Sequence, residues 1–169
     1  MNALWLFAAA FLVAGLVPPR LPSGASHARR VIRPLATTCN LAITNTAFGT
    51  YAPLGANRTA PLEVTGTVTP NCTLGGAYAI TANNGLHSAQ ATGTCATAPC
   101  TRALNVGTSY VSYDLYTDSG HTTIWNATNA ISGTGTGAPQ TLHFYAYIPP
   151  GLAQAAGNYK DTVVATVTY

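Results

Sequence analysis

The stretch Gly157-Asn158-Tyr159-Lys160-Asp161-Thr162-Val163-Val164-Ala165-Thr166-Val167-Thr168-Tyr169 limits the possible folds more than any other part of the chain. From Thr162 on, nearly every residue is β-branched or aromatic, the types that fit a pleated surface. Val163, Ala165, Val167 and Tyr169 fall on one face, and Thr162, Val164, Thr166 and Thr168 on the other. Gly157 and Asn158 supply a turn just ahead. The pattern predicts one uninterrupted strand over Thr162–Tyr169, with its apolar face against a core.

The rest of the sequence has the same character. Leu41, Ile43 and Asn45 share a face of a first strand, and Phe48 to Pro53 reads as an aromatic turn. Leu62, Val64, Gly66, Val68 and Cys72 mark a long strand of period two, broken late by Pro70. Tyr78, Ile80 and Ala82 begin another, closed by the turn signal Asn83-Asn84-Gly85. Val111, Tyr113 and Leu115 alternate with Ser112, Asp114 and Tyr116. Leu142, Phe144, Ala146 and Ile148 alternate with His143, Tyr145 and Tyr147. No segment carries an extended helical period. About seven strands with turn signals between them predict an all-β chain folded as a β-sandwich.

Composition narrows the class of function. Only 7% of the 169 residues are charged, far below the ~25% of an average soluble domain. Thr, Ser, Asn, Gly and Tyr must therefore cover the surface. The net charge of +3 is small and no basic cluster is dense, which argues against a nucleic-acid partner. Leu4 to Val17 is an apolar run too short for the ~20 residues of a membrane span. It suits the core of a secretory signal, with small residues at Ser26 and Ala28 for cleavage. The expected organisation is a signal peptide over 1–28, an arm over 29–38 and one domain over 39–169. No membrane insertion is expected after cleavage.

Export makes disulfides the default for Cys39, Cys72, Cys95 and Cys100. Three pairings are open. The spacer Ala-Thr-Ala-Pro between Cys95 and Cys100 is short enough to close as a small loop. Cys39 and Cys72 then remain, and their longer loop is worth about 3–4 kcal/mol in the chain-entropy account. Zinc would require closer cysteine pairs or neighbouring histidines, and His87 is the nearest.

Little here supports catalysis. The carboxylates are Glu63, Asp114, Asp118 and Asp161, well separated and without a linking signature. Ser112, His121 and Asp118 supply the residue types of a hydrolytic triad, but no nucleophile elbow accompanies them. Gly133 to Gly137 lacks the Gly-Lys-Ser/Thr ending of a phosphate loop and reads as a hairpin loop. Neither an enzyme nor a cofactor is expected.

An ordered set of motifs does point to a family. It comprises Cys39, Phe48-Gly49-Thr50-Tyr51, Cys72, Tyr78 with Ile80 and Gly85, Thr101-Arg102, Tyr113-Asp114-Leu115-Tyr116-Thr117-Asp118, Trp125, and Gly157 through Val163 running to Tyr169. In these motifs the chain resembles the spore coat protein U domain, a family that includes subunits of archaic chaperone–usher pili. The resemblance implies an immunoglobulin-like sandwich lacking its final strand, and a Cys39–Cys72 disulfide. It implies a periplasmic chaperone, an outer-membrane usher and like subunits as partners, and passage through the periplasm to a surface fibre or coat. An added strand satisfies an open sheet edge and its apolar groove. Val163, Ala165, Val167 and Tyr169 would line that groove. In the arm, Val31, Ile32 and Leu35 would serve as donor residues, although neither phase of the arm alternates cleanly. A fibre-tip adhesin needs no donor arm, and Ser88–Pro99, Trp125 and Gly133–Gly137 are its candidate exposed loops. A secreted enzyme or ligand-binding sandwich is the remaining alternative.

Overall fold

The structure, a computed structural model, describes residues 4–6 and 36–169. The donor residues Val31, Ile32 and Leu35 lie outside the described residues, as does the expected signal segment apart from Leu4–Leu6. In chain order the strands are β1 (Leu4–Leu6), β2 (Cys39–Ile43), β3 (Thr46–Gly49), β4 (Leu62–Cys72), β5 (Ala77–Ala82), β6 (Thr94–Cys95) and β7 (Ala98–Pro99). They continue with β8 (Arg102–Val106), β9 (Ser109–Tyr116), β10 (Ile131–Thr134), β11 (Leu142–Ile148), β12 (Lys160–Asp161) and β13 (Ala165–Thr168). Two short 3₁₀ turns, Ala56–Arg58 and Ser88–Gln90, interrupt the loops.

An eight-stranded sheet runs β2-β4-β11-β9-β8-β12-β1-β3, and a three-stranded sheet runs β10-β5-β13. Period-two alternation drives both. Along β11, Phe144, Ala146 and Ile148 are buried while His143 is exposed and Tyr145 and Tyr147 are half-buried. These inward residues meet Tyr78, Ile80 and Ala82 of β5 and Ala165 of β13 in one core. Trp125 closes that core, its ring 5.2 Å from Phe144 and its indole N–H donating to the Ile80 carbonyl at 2.8 Å. The result is the expected immunoglobulin-like sandwich.

Several local expectations fail for identifiable reasons. The predicted strand over Thr162–Tyr169 is broken: β12 belongs to the large sheet, β13 to the small one, and Thr162–Val164 cross between them. Phe48 lies in strand β3 rather than a turn, because Thr46 and Phe48 alternate inward. Pro70 does not break β4, since Leu41 of β2 still pairs with it and its carbonyl accepts from Gln140 N. Trp125, expected in an exposed loop, is 1% exposed. The Gly133–Gly137 segment is not a free loop either. Ile131–Thr134 form β10, and a Cβ at Gly133 or Gly135 would overlap the Tyr78 ring or the Cys72–Thr73 backbone.

Candidate functional site

The first and last strands of the domain each split into two pieces, and two of those pieces frame a slot. The first strand gives β2, paired with β4, and then β3, which leaves that partner. The last gives β12 and then β13. Between β12 and β3 lies β1, parallel to β12 through Trp5↔Lys160 and Leu6↔Asp161. It is antiparallel to β3 through Leu4↔Gly49, Trp5↔Ala47 and Leu6↔Thr46. The strands β12 and β3 are thus joined only through an inserted extended segment. The small sheet ends on β13, whose second edge has no partner in that sheet.

The expected groove residues divide along the last strand. Val163 and Ala165 are buried, Val167 is half-buried, and Tyr169 is 42% exposed. The alternation holds through the crossover and fades toward the final residue.

Buried polar contacts hold the crossover in place. Asp161 is 4% exposed. Its carboxylate accepts from the Leu86 and Thr162 backbone N–H groups at 2.9 and 2.8 Å and from the Tyr113 hydroxyl at 2.7 Å. The turn at Gly85 must come this close: its φ of +74° favours glycine, and a Cβ there would collide with the Asp161 carboxylate. Two residues before Gly85, the Asn83 side-chain oxygen accepts from Val164 N at 2.9 Å. Asn83 N donates to the Val164 carbonyl, also at 2.9 Å. Thr162 and Val164 therefore have backbone partners although they leave the ladder.

Behind Asn83 sits a buried ion pair. Arg102 and Asp114 are both fully buried and meet at 2.8 Å. Arg102 also donates from Nε and Nη2 to the Asn83 carbonyl at 3.1 and 2.7 Å, and from Nη2 to the Trp125 carbonyl at 2.6 Å. Thr101 donates to Asp114 from its backbone N–H and its hydroxyl. With every group paired, the two charges are tolerated in the interior. Tyr113, next to Asp114, is fully buried. Burial first, then the Asp161 charge, pushes its phenol well above the ordinary value, so it stays a proton donor.

The outer face of β9 is covered as well. Ser112, Asp114 and Tyr116, which alternate with the apolar set, are also buried, under the segment closed by the Cys95–Cys100 disulfide. The Tyr116 hydroxyl donates to the Cys95 carbonyl at 3.0 Å, and Thr92 N donates to Ser112 Oγ at 2.8 Å. Burial, followed by the nearby Asp114, raises the Tyr116 phenol. The second disulfide joins Cys39 to Cys72, directly opposite each other on β2 and β4.

The residue types of a triad do not assemble. Ser112 Oγ is engaged by Thr92 N. Asp118 accepts from Thr122 and Thr123 N–H groups within its own turn. His121 packs among Tyr116, Tyr145 and Tyr147, with Nδ1 3.7 Å from Glu63. Among the described residues no group of His, Cys, Asp and Glu could hold a metal ion, and no helix is long and apolar enough to cross a membrane. Arg102, Asn83, Tyr113 and Asp161 were not identified from sequence as site residues. Their signal was scarcity: where 7% of residues are charged, a charge on or beside an apolar strand must have a partner.

Comparison with known proteins agrees with this architecture. Protein U of Myxococcus xanthus is 37% identical over 130 residues, covering 72% of this chain and 70% of that protein. A chain in the crystal structure of the CsuC–CsuE chaperone–tip adhesion subunit pre-assembly complex, from archaic chaperone–usher Csu pili of Acinetobacter baumannii, shares the fold. The TM-score is 0.54 at 22% identity, and the match covers 80% of this chain and 40% of that one. The Spore Coat Protein U domain matches residues 28–166, and the chain belongs to that family.

Proposed function

We propose that the chain is an exported structural subunit of a surface fibre or coat, completed by a strand from outside its own domain. Residues 1–28 act as a signal peptide. A periplasmic chaperone fills the slot between β12 and β3 first, and a neighbouring subunit's arm replaces it at an outer-membrane usher. The observation that carries this reading is the β1 pairing: β12 and β3 belong to one sheet only when a third segment lies between them. Leu4–Leu6 lies inside the proposed signal peptide, so its removal leaves both walls with unpaired backbone groups. A chaperone complex of a similarly folded subunit is in keeping with the reading. Among the described residues, the buried polar groups Arg102, Asp114, Tyr113 and Asp161 bond to one another or to backbone, in keeping with a structural role.

The test is production of the chain from Arg29 in a periplasm, with and without a co-produced pilus chaperone. The expected result is a stoichiometric complex with the chaperone and degradation or aggregation without it. A soluble, monodisperse monomer that begins at Arg29 and has no partner overturns the proposal. Val167→Asp, which places a charge on the half-buried side of β13, is expected to block capture.

A further inference from the structure

The slot has two walls, and one side chain touches both. The Tyr113 ring meets Phe48 of β3 edge-on, with centroids 5.8 Å apart. Its hydroxyl donates to Asp161 of β12 at 2.7 Å. Tyr113 itself stands on β9, paired to Arg102 of β8, and so belongs to the rigid part of the large sheet. Asp161 relays the contact to Leu86 N and Thr162 N, which fixes where the last strand leaves the ladder. The same Asp161 is the residue whose backbone pairs with the inserted segment, opposite Leu6.

We propose that Tyr113 and Asp161 form a brace beneath the slot that sets its width, making both of them positioning residues for the incoming strand. The inference rests on the strand-completion reading above and adds the residues that prepare the slot to receive. Without the Tyr113–Asp161 bond, Phe48 keeps its aromatic neighbour but β12 loses its tie to β9. The wall then moves independently of β3, and an incoming strand must order it again on binding.

Three variants of the full chain separate positioning from general stabilisation. Tyr113→Phe keeps the ring and the Phe48 contact and deletes only the hydroxyl. Asp161→Ala removes the acceptor. Asp161→Asn keeps an oxygen for Leu86 N and Thr162 N and turns its amide toward Tyr113, whose hydroxyl can accept. A buried hydrogen bond to a charged group is worth roughly a 10- to 100-fold change in an equilibrium. In Tyr113→Phe and Asp161→Ala, amide exchange at Lys160–Val164 and Leu86 should therefore accelerate about tenfold or more, with Leu142–Ile148 unchanged. Chaperone-captured yield should fall by a similar factor, and Asp161→Asn should restore most of it. Equal acceleration in β11 overturns the brace, because the bond would then be general stabilisation. Unchanged capture in Tyr113→Phe, with wild type captured normally, overturns it too. If wild type is not captured, the strand-completion reading fails, and the exchange pattern alone still decides whether the brace exists.

Discussion

The centre of the large sheet and its slot end are built to opposite rules. Between β4 and β11 the ladder runs without interruption from Leu142↔Val68 to Ile148↔Leu62. At the slot end, β12 offers Lys160 to β8 and only Lys160 and Asp161 to β1. The centre is held by backbone pairing and apolar burial, which are cooperative and tolerant of exchange among similar side chains. The slot end is held by side chains bonding to backbone, through Asp161, Asn83 and Arg102. These contacts stand in for ladder bonds across Thr162–Val164, which lie between β12 and β13. A sheet can thus hold one end by its ladder and the other by side chains.

The largest break in that contrast should come from Asp114→Ala. It leaves the Arg102 guanidinium buried without its carboxylate, a change that costs about 3–5 kcal/mol. Since Arg102 also holds Asn83, the crossover should fail together with the core, and the folded yield of the full chain should collapse. Arg102→Met together with Asp114→Leu sharpens the point. The core should recover much of its stability in chemical denaturation, while exchange at Asn83 and Val164 stays fast.

Next in size is loss of the Cys39–Cys72 disulfide by paired substitution to Ser. It is worth about 3–4 kcal/mol in the chain-entropy account, against about 2 kcal/mol for Cys95–Cys100. Urea midpoints of the two double variants measure the difference. The first should loosen Thr46–Gly49, reached from β2 through Thr44 and Asn45, whereas the second should loosen only the cover over β9.

Gly66→Ala attacks the firm side. A Cβ at Gly66 would enter the Phe144 ring, so about 1–3 kcal/mol of overpacking is expected. It should appear as a lower denaturation midpoint, with the relative protection of the slot walls unchanged. The smallest effect should come from pH at Asp118, whose turn belongs to neither region. Slight burial raises its carboxyl, but the Thr122 and Thr123 N–H groups more than offset this and hold it below the ordinary value. The contribution is complete above the unfolded carboxyl's pKa of about 3.9 and is lost as pH falls through the lowered folded value. The Thr122 and Thr123 amide resonances should shift only in that acid range.

What the sequence made legible follows from periodicity. The strands β4, β5, β9 and β11 show alternation of period two because each buries one face under a sheet or loop, and burial selects side chains by type. The sandwich, and the membership of its last strand, followed from that. Periodicity carries no information about which sheet a strand pairs with. The break at Thr162–Val164 was therefore hidden inside an unbroken β-branched run. The burial of Ser112 and Asp114 was not legible because the segment that covers them, Ser88 to Pro99, has no periodicity of its own. Trp125 looked like a loop residue because its strand neighbours are too few to form a pattern, and only the Arg102, Leu115 and Ile80 contacts show it as core. Phe48 was misplaced for the same reason, since β3 spans four residues.

The split of the first strand has a consequence for the order of events in the cell. Cys39, the first residue of β2, is tied to Cys72 on β4, and β3 follows two residues beyond the end of β2. The β2–β4 ladder and that bond together join the β3 wall to the firm centre of the sheet. A chain whose thiols are reduced keeps the β2–β4 ladder but loses its covalent end. If a partner strand completes the sheet as proposed, oxidation beforehand would leave the accepting wall better anchored at the moment of capture.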